Sequence, residues 1–106
     1  MVTEVARFFA IAGQGDAFET AVKEGLKVIQ RQPAHRRSCL MRGVEQPDQF
    51  TIILEWESLE AKMAFRNGPE FPEWRKPIND LMAQPPESAH WNVLLDTAAD
   101  VLGATR

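Results

Sequence analysis

Within residues 4–11 the apolar positions fall on both sides of an extended chain: Val5, Phe9 and Ile11 on one, Ala6, Phe8 and Ala10 on the other. A segment apolar on both sides reads as a strand covered on both faces. Gly13-Gln14-Gly15 breaks this pattern. Phe18, Ala21, Val22, Gly25, Leu26 and Ile29 then recur at helical spacing, one stripe that stops before Pro33. Asp16 and Glu19, three apart, predict a capping-box-like start to that helix. Residues 35–44 read as a second strand, apolar around Cys39, Leu40 and Met41. Gln46-Pro47-Asp48-Gln49 reads as a turn, because proline presets φ there. In residues 50–57 the alternation is clean, with Phe50, Ile52, Leu54 and Trp56 opposed to Thr51, Ile53, Glu55 and Glu57.

Ser58 stands where it would cap a short helix running to Phe65, which Asn67-Gly68-Pro69 stops. Trp74, Ile78, Leu81 and Met82 mark another helix, with Pro77 expected in its first turn and Pro85-Pro86 at its end. Residues 89–96 form the last expected strand, Trp91, Val93 and Leu95 alternating with His90, Asn92, Leu94 and Asp96. Residues 97–106 are expected to fray. The order β-α-β-β-α-β, its second helical segment broken in two, predicts one ferredoxin-like α+β domain over 1–106, an antiparallel sheet with helices on one face. The other face, apolar in several strands, needs a cover. An isologous contact with a second copy would supply it, so a homodimer is expected.

Composition narrows the field further. A net charge of −3 and dispersed basic residues, apart from Arg36-Arg37, leave no footprint for nucleic acid. The apolar runs fall far short of the ~20 residues that span a bilayer, so no membrane partner is expected. Met1-Val2-Thr3-Glu4 does not begin a signal peptide, and the single Cys39 fits a reducing compartment, which makes a cytoplasmic location the expectation.

Metal chemistry has no pattern to rest on: His35 and His90 are distant, with no spaced Cys or His partners. No Gly-x-Ser-x-Gly elbow is present, and Gly13-Gln14-Gly15 lacks the Lys-Ser/Thr of a phosphate loop. Cys39 reads as strand packing, and Glu55 and Glu57 as solvated or rim carboxylates. Trp56, Phe65, Phe71 and Trp74 crowd into one stretch; core packing and a ligand pocket between sheet and helices account for them equally well. Should His90 line such a pocket, its near-neutral pKa class suits proton transfer, against the plainer reading of a structural histidine. Arg66 and Arg75 flank the aromatics, where either could hold a phenolate or carboxylate, or simply form surface ion pairs.

The run Gly43-Val44-Glu45-Gln46-Pro47-Asp48-Gln49-Phe50, then Glu55-Trp56-Glu57-Ser58-Leu59-Glu60-Ala61, Phe65-Arg66, Pro69-x-Phe71, Trp74-Arg75 and the closing Pro-Pro with His90 resemble the antibiotic biosynthesis monooxygenase family. The resemblance extends over residues 8–95. It implies a dimeric α+β barrel and, among the family's activities, cofactor-free oxygenation of phenolic substrates to quinones, quinol oxidation or haem degradation. Trp56 falls at the cofactor-free branch's strand tryptophan. That branch's strand asparagine falls at Ile52, its helix tyrosine near Lys62 and its arginine at Arg75 or Lys76; the chain has no tyrosine. The haem-degrading branch's ligating histidine falls near Arg75, and arginine stays protonated and cannot ligate iron.

The expectation is therefore a cofactor-independent, metal-free monooxygenase acting with O2 on a small aromatic or quinol-type substrate. Trp56, Phe65, Phe71 and Trp74 would wall its pocket beside Arg66, His90 would accept a proton, and Arg75 would hold an anion, with Trp56 beside the chemistry. The rival is a non-catalytic dimer that binds a small hydrophobic ligand or only maintains an interface.

Overall fold

Each strand that the period-two pattern predicts does form, with the first, third and last displaced toward the N-terminus and the second starting at His35 as expected but ending two residues early. The computed structural model describes residues 1–98, so the tail expected to fray lies, from residue 99, outside the described residues. The elements are β1 (Val2–Phe9), α1 (Gly15–Gln30), β2 (His35–Arg42), β3 (Gln49–Trp56), α2 (Leu59–Arg66), α3 (Phe71–Asn79) and β4 (Glu87–Trp91). The sheet order is β2-β3-β1-β4, with every neighbour antiparallel. This is the expected α+β, ferredoxin-like arrangement, with the second helical segment split into α2 and α3.

Even-numbered residues of β1 and β3 face the helices. Their ladder runs Phe8↔Phe50, Ala6↔Ile52, Glu4↔Leu54 and Val2↔Trp56. Phe18, Val22, Leu26 and Ile29 of α1 close over them together with Trp74 and Ile78 of α3, forming one core. Gly25 sets how closely α1 and α3 approach. A Cβ there would stand 2.7 Å from the Trp74 carbonyl oxygen and 2.9 Å from Cε3 of its ring.

The outer face is less uniformly apolar than expected. Opposed residues in antiparallel strands share a face, and the register lines up Cys39, Ile53, Val5 and Ala89 as one apolar row across all four strands. Met41, Thr51, Arg7 and Glu87 flank it on one side, and Arg37, Glu55, Thr3 and Trp91 on the other. The apolar surface is a band with mixed rows at its sides, where Met41 and Trp91 stand among charged and polar residues.

Four local expectations need correction. Helix α1 begins at Gly15 with Gln14 at the cap and no side-chain cap bond, so Asp16 already lies inside the first turn. Instead of capping, its Oδ1 accepts from Arg42 at 2.8 Å, and Glu19 accepts from Lys23 and Arg42. Helix α3 begins at Phe71, so Pro72 takes the first turn and Pro77 lies in the interior. That proline lacks the N–H that would bond one turn back, and the helix ends two residues later. Leu81 to Ala83 instead bind the end of β1: Ile11 N–H donates to the Leu81 carbonyl at 2.9 Å, and Ala83 N–H to that of Phe9 at 2.8 Å. Strand β4 stops at Trp91, because its pairing reaches Thr3, near the start of β1. Val93, Leu94 and Leu95 lie exposed beyond it and continue no strand. At α2 the expectation holds: the Ser58 hydroxyl accepts from Ala61 N–H at 3.1 Å.

Candidate active site

The alternation that buries Ala6 and Phe8 also turns Glu4 inward, so a carboxylate occupies an apolar strand face with its side chain only 12% exposed. Burial of an ion in such a place must be offset by partners. Three are present. Trp56 Nε1 donates to Oε1 at 3.3 Å, Ser88 Oγ donates to Oε2 at 2.9 Å, and Lys62 Nζ stands 3.5 Å from Oε2. Each comes from a different element: β3, β4 and α2. Lys62 is on the same helical face as Phe65, which carries its aliphatic stem into the interior and its ammonium to Glu4.

These groups open on a cavity of about 360 Å³ between the inner sheet face and the two short helices. Ala6 and Phe8 of β1 and Ile52 and Leu54 of β3 line it, as do Ile29 of α1 and Pro85-Pro86 of the segment before β4. Trp56 and Phe65 stack at 5.5 Å between centroids, and Phe65 meets Phe71 edge-on at 5.7 Å. Trp74 meets Phe8 edge-on at 6.2 Å. Trp56, Phe65 and Trp74 are thus core side chains and cavity lining at once, and the partly buried Phe71 packs against them. The guanidinium carbon of Arg66 lies 4.5 Å from the Phe71 centroid and that of Arg75 5.7 Å away. Burial, and then the charge of Arg66, hold the Arg75 guanidinium below its ordinary range.

Of the residues anticipated from the sequence, Trp56, Phe65, Phe71, Trp74, Arg66 and Arg75 all line this one cavity. His90 does not. It is opposite Glu4 in the β1–β4 ladder, yet it lies exposed in a shallow groove with Val2, Glu57 and Ser58. Glu57 pairs with Arg36 at 3.0 Å, and Glu55 and Cys39 belong to the outer sheet face. The sequence reading missed Glu4 and Ser88 and noted Lys62 only through the resemblance. One signal was available: Val2, Glu4, Ala6 and Phe8 share a strand face, so Glu4 stands alone among apolar neighbours. Starting the strand at Glu4 hid it at an end. Among the described residues no group of three or more His, Cys, Asp or Glu side chains is arranged to hold a metal, and no helix is long and apolar enough to cross a membrane.

The family model for antibiotic biosynthesis monooxygenases matches residues 1–77. The chain belongs to the antibiotic biosynthesis monooxygenase family. YczJ of Bacillus subtilis (strain 168), an uncharacterized protein, is 25% identical over 92 residues, covering 86% of this chain and 97% of that one. A Bordetella bronchiseptica structure assigned to the same monooxygenases superposes with a TM-score of 0.83 at 28% identity, covering 89% of this chain and 97% of the other. SnoaB of Streptomyces nogalater, a cofactor-independent oxygenase, superposes with a TM-score of 0.78 at 22% identity, over 90% of this chain and 94% of its own. At that identity the likeness to SnoaB is one of fold. Ile52, where the sequence resemblance puts the cofactor-free branch's asparagine, is fully buried in the cavity lining, and Lys62, near which it puts that branch's tyrosine, lines the cavity too. The polar centre of this member is instead Glu4 with Lys62, Ser88 and the Trp56 indole. Lys76 does not line the cavity, whereas Arg75 does.

Proposed function

We propose that this chain is a monooxygenase that works without a cofactor, oxidising a small aromatic or quinol-type substrate with O2 as a homodimer. The single observation that carries the reading is a buried, hydrogen-bonded carboxylate inside an aromatic-walled cavity of ligand size. Glu4 accepts a proton from the substrate's hydroxyl or from an acidic ring C–H. The electron-rich anion left behind passes an electron to O2, and recombination forms a carbon–oxygen bond. Glu4 returns its proton to the peroxide, and loss of water from that hydroperoxide leaves a quinone carbonyl, so an anthrone methylene and O2 become a carbonyl and H2O with no external reductant. The Lys62 ammonium and the Trp56 N–H stabilise negative charge next to the reacting centre, and Arg75 holds negative charge on the Phe71 side. The aromatic walls keep water from the reactive intermediates.

Proton acceptance is given to Glu4 rather than His90, because Glu4 lines the cavity and His90 does not. Proton transfer by a positioned group contributes about 10²-fold or more. Mixing the protein anaerobically with an anthrone and then admitting labelled O2 should place one labelled atom in the quinone and consume oxygen above the uncatalysed rate. Glu4→Gln should lower that rate by about 10²-fold, and by more than His90→Ala does. The reverse order would return the role to His90. Tight anthrone binding with only background oxygen uptake would support the rival, a ligand-binding dimer.

A further inference from the structure

The charges lining the cavity do not match those of the chain. The whole sequence is at −3, yet the cavity is lined by one carboxylate, Glu4, and three cations, Lys62, Arg66 and Arg75. Lys62 is matched to Glu4. Arg66 and Arg75 are matched to nothing: among the described residues neither is in ion-pair contact with a carboxylate, whereas Arg31, Arg36 and Arg42 each hold one at 3.2 Å or less. Arg7 and Arg37 also lack such a contact, but they stand apart on the outer sheet face. The cavity pair shares one surface, with both guanidiniums against the Phe71 ring. Asn79 Oδ1 accepts from Arg75 Nε at 3.2 Å, which steadies the guanidinium and leaves its two terminal nitrogens for another acceptor. Two like charges over one ring repel, and Arg66 already disfavours the charged form of Arg75. An anion beside Phe71 would relieve this, and two planar guanidiniums suit the two oxygens of a carboxylate.

We propose that the ligand of this cavity is an aromatic acid, whose ring hydroxyl meets Glu4 while a carboxylate on the far side of the ring system is held by Arg66 and Arg75. The proposal rests on the reading of this cavity as the substrate site and narrows it to one chemical class.

The test compares two probes: a naphthol carrying a carboxylate on the ring remote from its hydroxyl, and the matching primary carboxamide. Trp56 and Trp74 wall the cavity, so quenching of their fluorescence reports binding. The unmodified protein should bind the carboxylate about tenfold or more tightly than the carboxamide. Arg66→Gln with Arg75→Gln should abolish that preference, the carboxylate losing about tenfold or more in affinity relative to the carboxamide, and an unchanged near-ultraviolet circular dichroism spectrum shows that the cavity is intact. Should the double variant fail to fold, Arg66→Gln alone decides, since that side chain is exposed at a helix end and should still reduce the preference. Equal binding of the two probes, no binding of the carboxylate, or a preference that survives the substitutions overturns the proposal. Anthrone turnover without carboxylate preference removes this inference and keeps the oxygenase reading. Carboxylate preference in a protein that consumes no oxygen does the reverse.

Discussion

A carboxylate on the inward face of a central strand is costly unless several elements converge on it. Glu4 is such a case, with an indole, a hydroxyl and an ammonium from three elements placed around it. The individual candidates Trp56, Phe65, Phe71 and Trp74 were legible because large aromatics at strand and helix spacing must be buried somewhere. Glu4 was not, because its character comes from neighbours far away in the chain. The same holds for His35, whose ring meets Trp56 edge-on at 6.0 Å and whose Nε2 is buried with no hydrogen-bond partner among the described residues. Burial lowers its pKa, with the nearby Arg36 charge helping and a hydrogen bond to the Arg37 backbone opposing. Because the folded pKa lies below the unfolded one, the neutral ring's contribution is complete above the unfolded value of about 6.5 and is lost as pH falls through the folded value. Urea midpoints should therefore fall between roughly pH 7.5 and 5.5, and fall less in His35→Phe. Glu19 and Glu70, both held below the usual carboxylate range by hydrogen bonds and cations, act at lower pH and leave that window clear.

Elements were readable where one local device decides them, as at Ser58, whose hydroxyl caps α2 as its position suggests. They were misread where a long-range contact overrides the local signal. Asp16 and Glu19 look like a cap pair in sequence, but Arg42 on β2 draws both carboxylates. Leu81 and Met82 continue the helical stripe, but bridging to the end of β1 takes their backbone instead. Gly25 shows how tightly α1 and α3 are docked. Gly25→Ala should destabilise the fold by about 1–3 kcal/mol in urea denaturation, despite alanine's better helix propensity, because the added methyl meets Trp74. An unchanged or raised midpoint would mean that α3 can shift freely.

At the scale of the whole molecule, no described residue covers the apolar row of the outer sheet face or the apolar side chains after β4. The apolar row Cys39, Ile53, Val5 and Ala89 is continuous across the sheet, and Trp91, Val93, Leu94 and Leu95 are 57% to 95% exposed. Under the proposed homodimer, a second copy covers this band, with the charges in the mixed rows at its rim favouring one register over others. Sedimentation at micromolar concentration should give the dimer mass, and Ile53→Lys, which puts a charge in the middle of the row, should give the monomer. A monomeric unmodified protein would remove the dimer.

The sequence alone determined the order of elements, the ferredoxin-like topology and the crowding of four aromatics, because hydrophobic period and turn chemistry act over a few residues. Tertiary structure alone decided that Glu4, Lys62 and Ser88 meet, that His90 stays outside, and that Arg66 and Arg75 share one ring with no carboxylate paired to either among the described residues. Those outcomes depend on strand register and helix placement, which bring together residues up to 84 positions apart, and no local pattern encodes that distance.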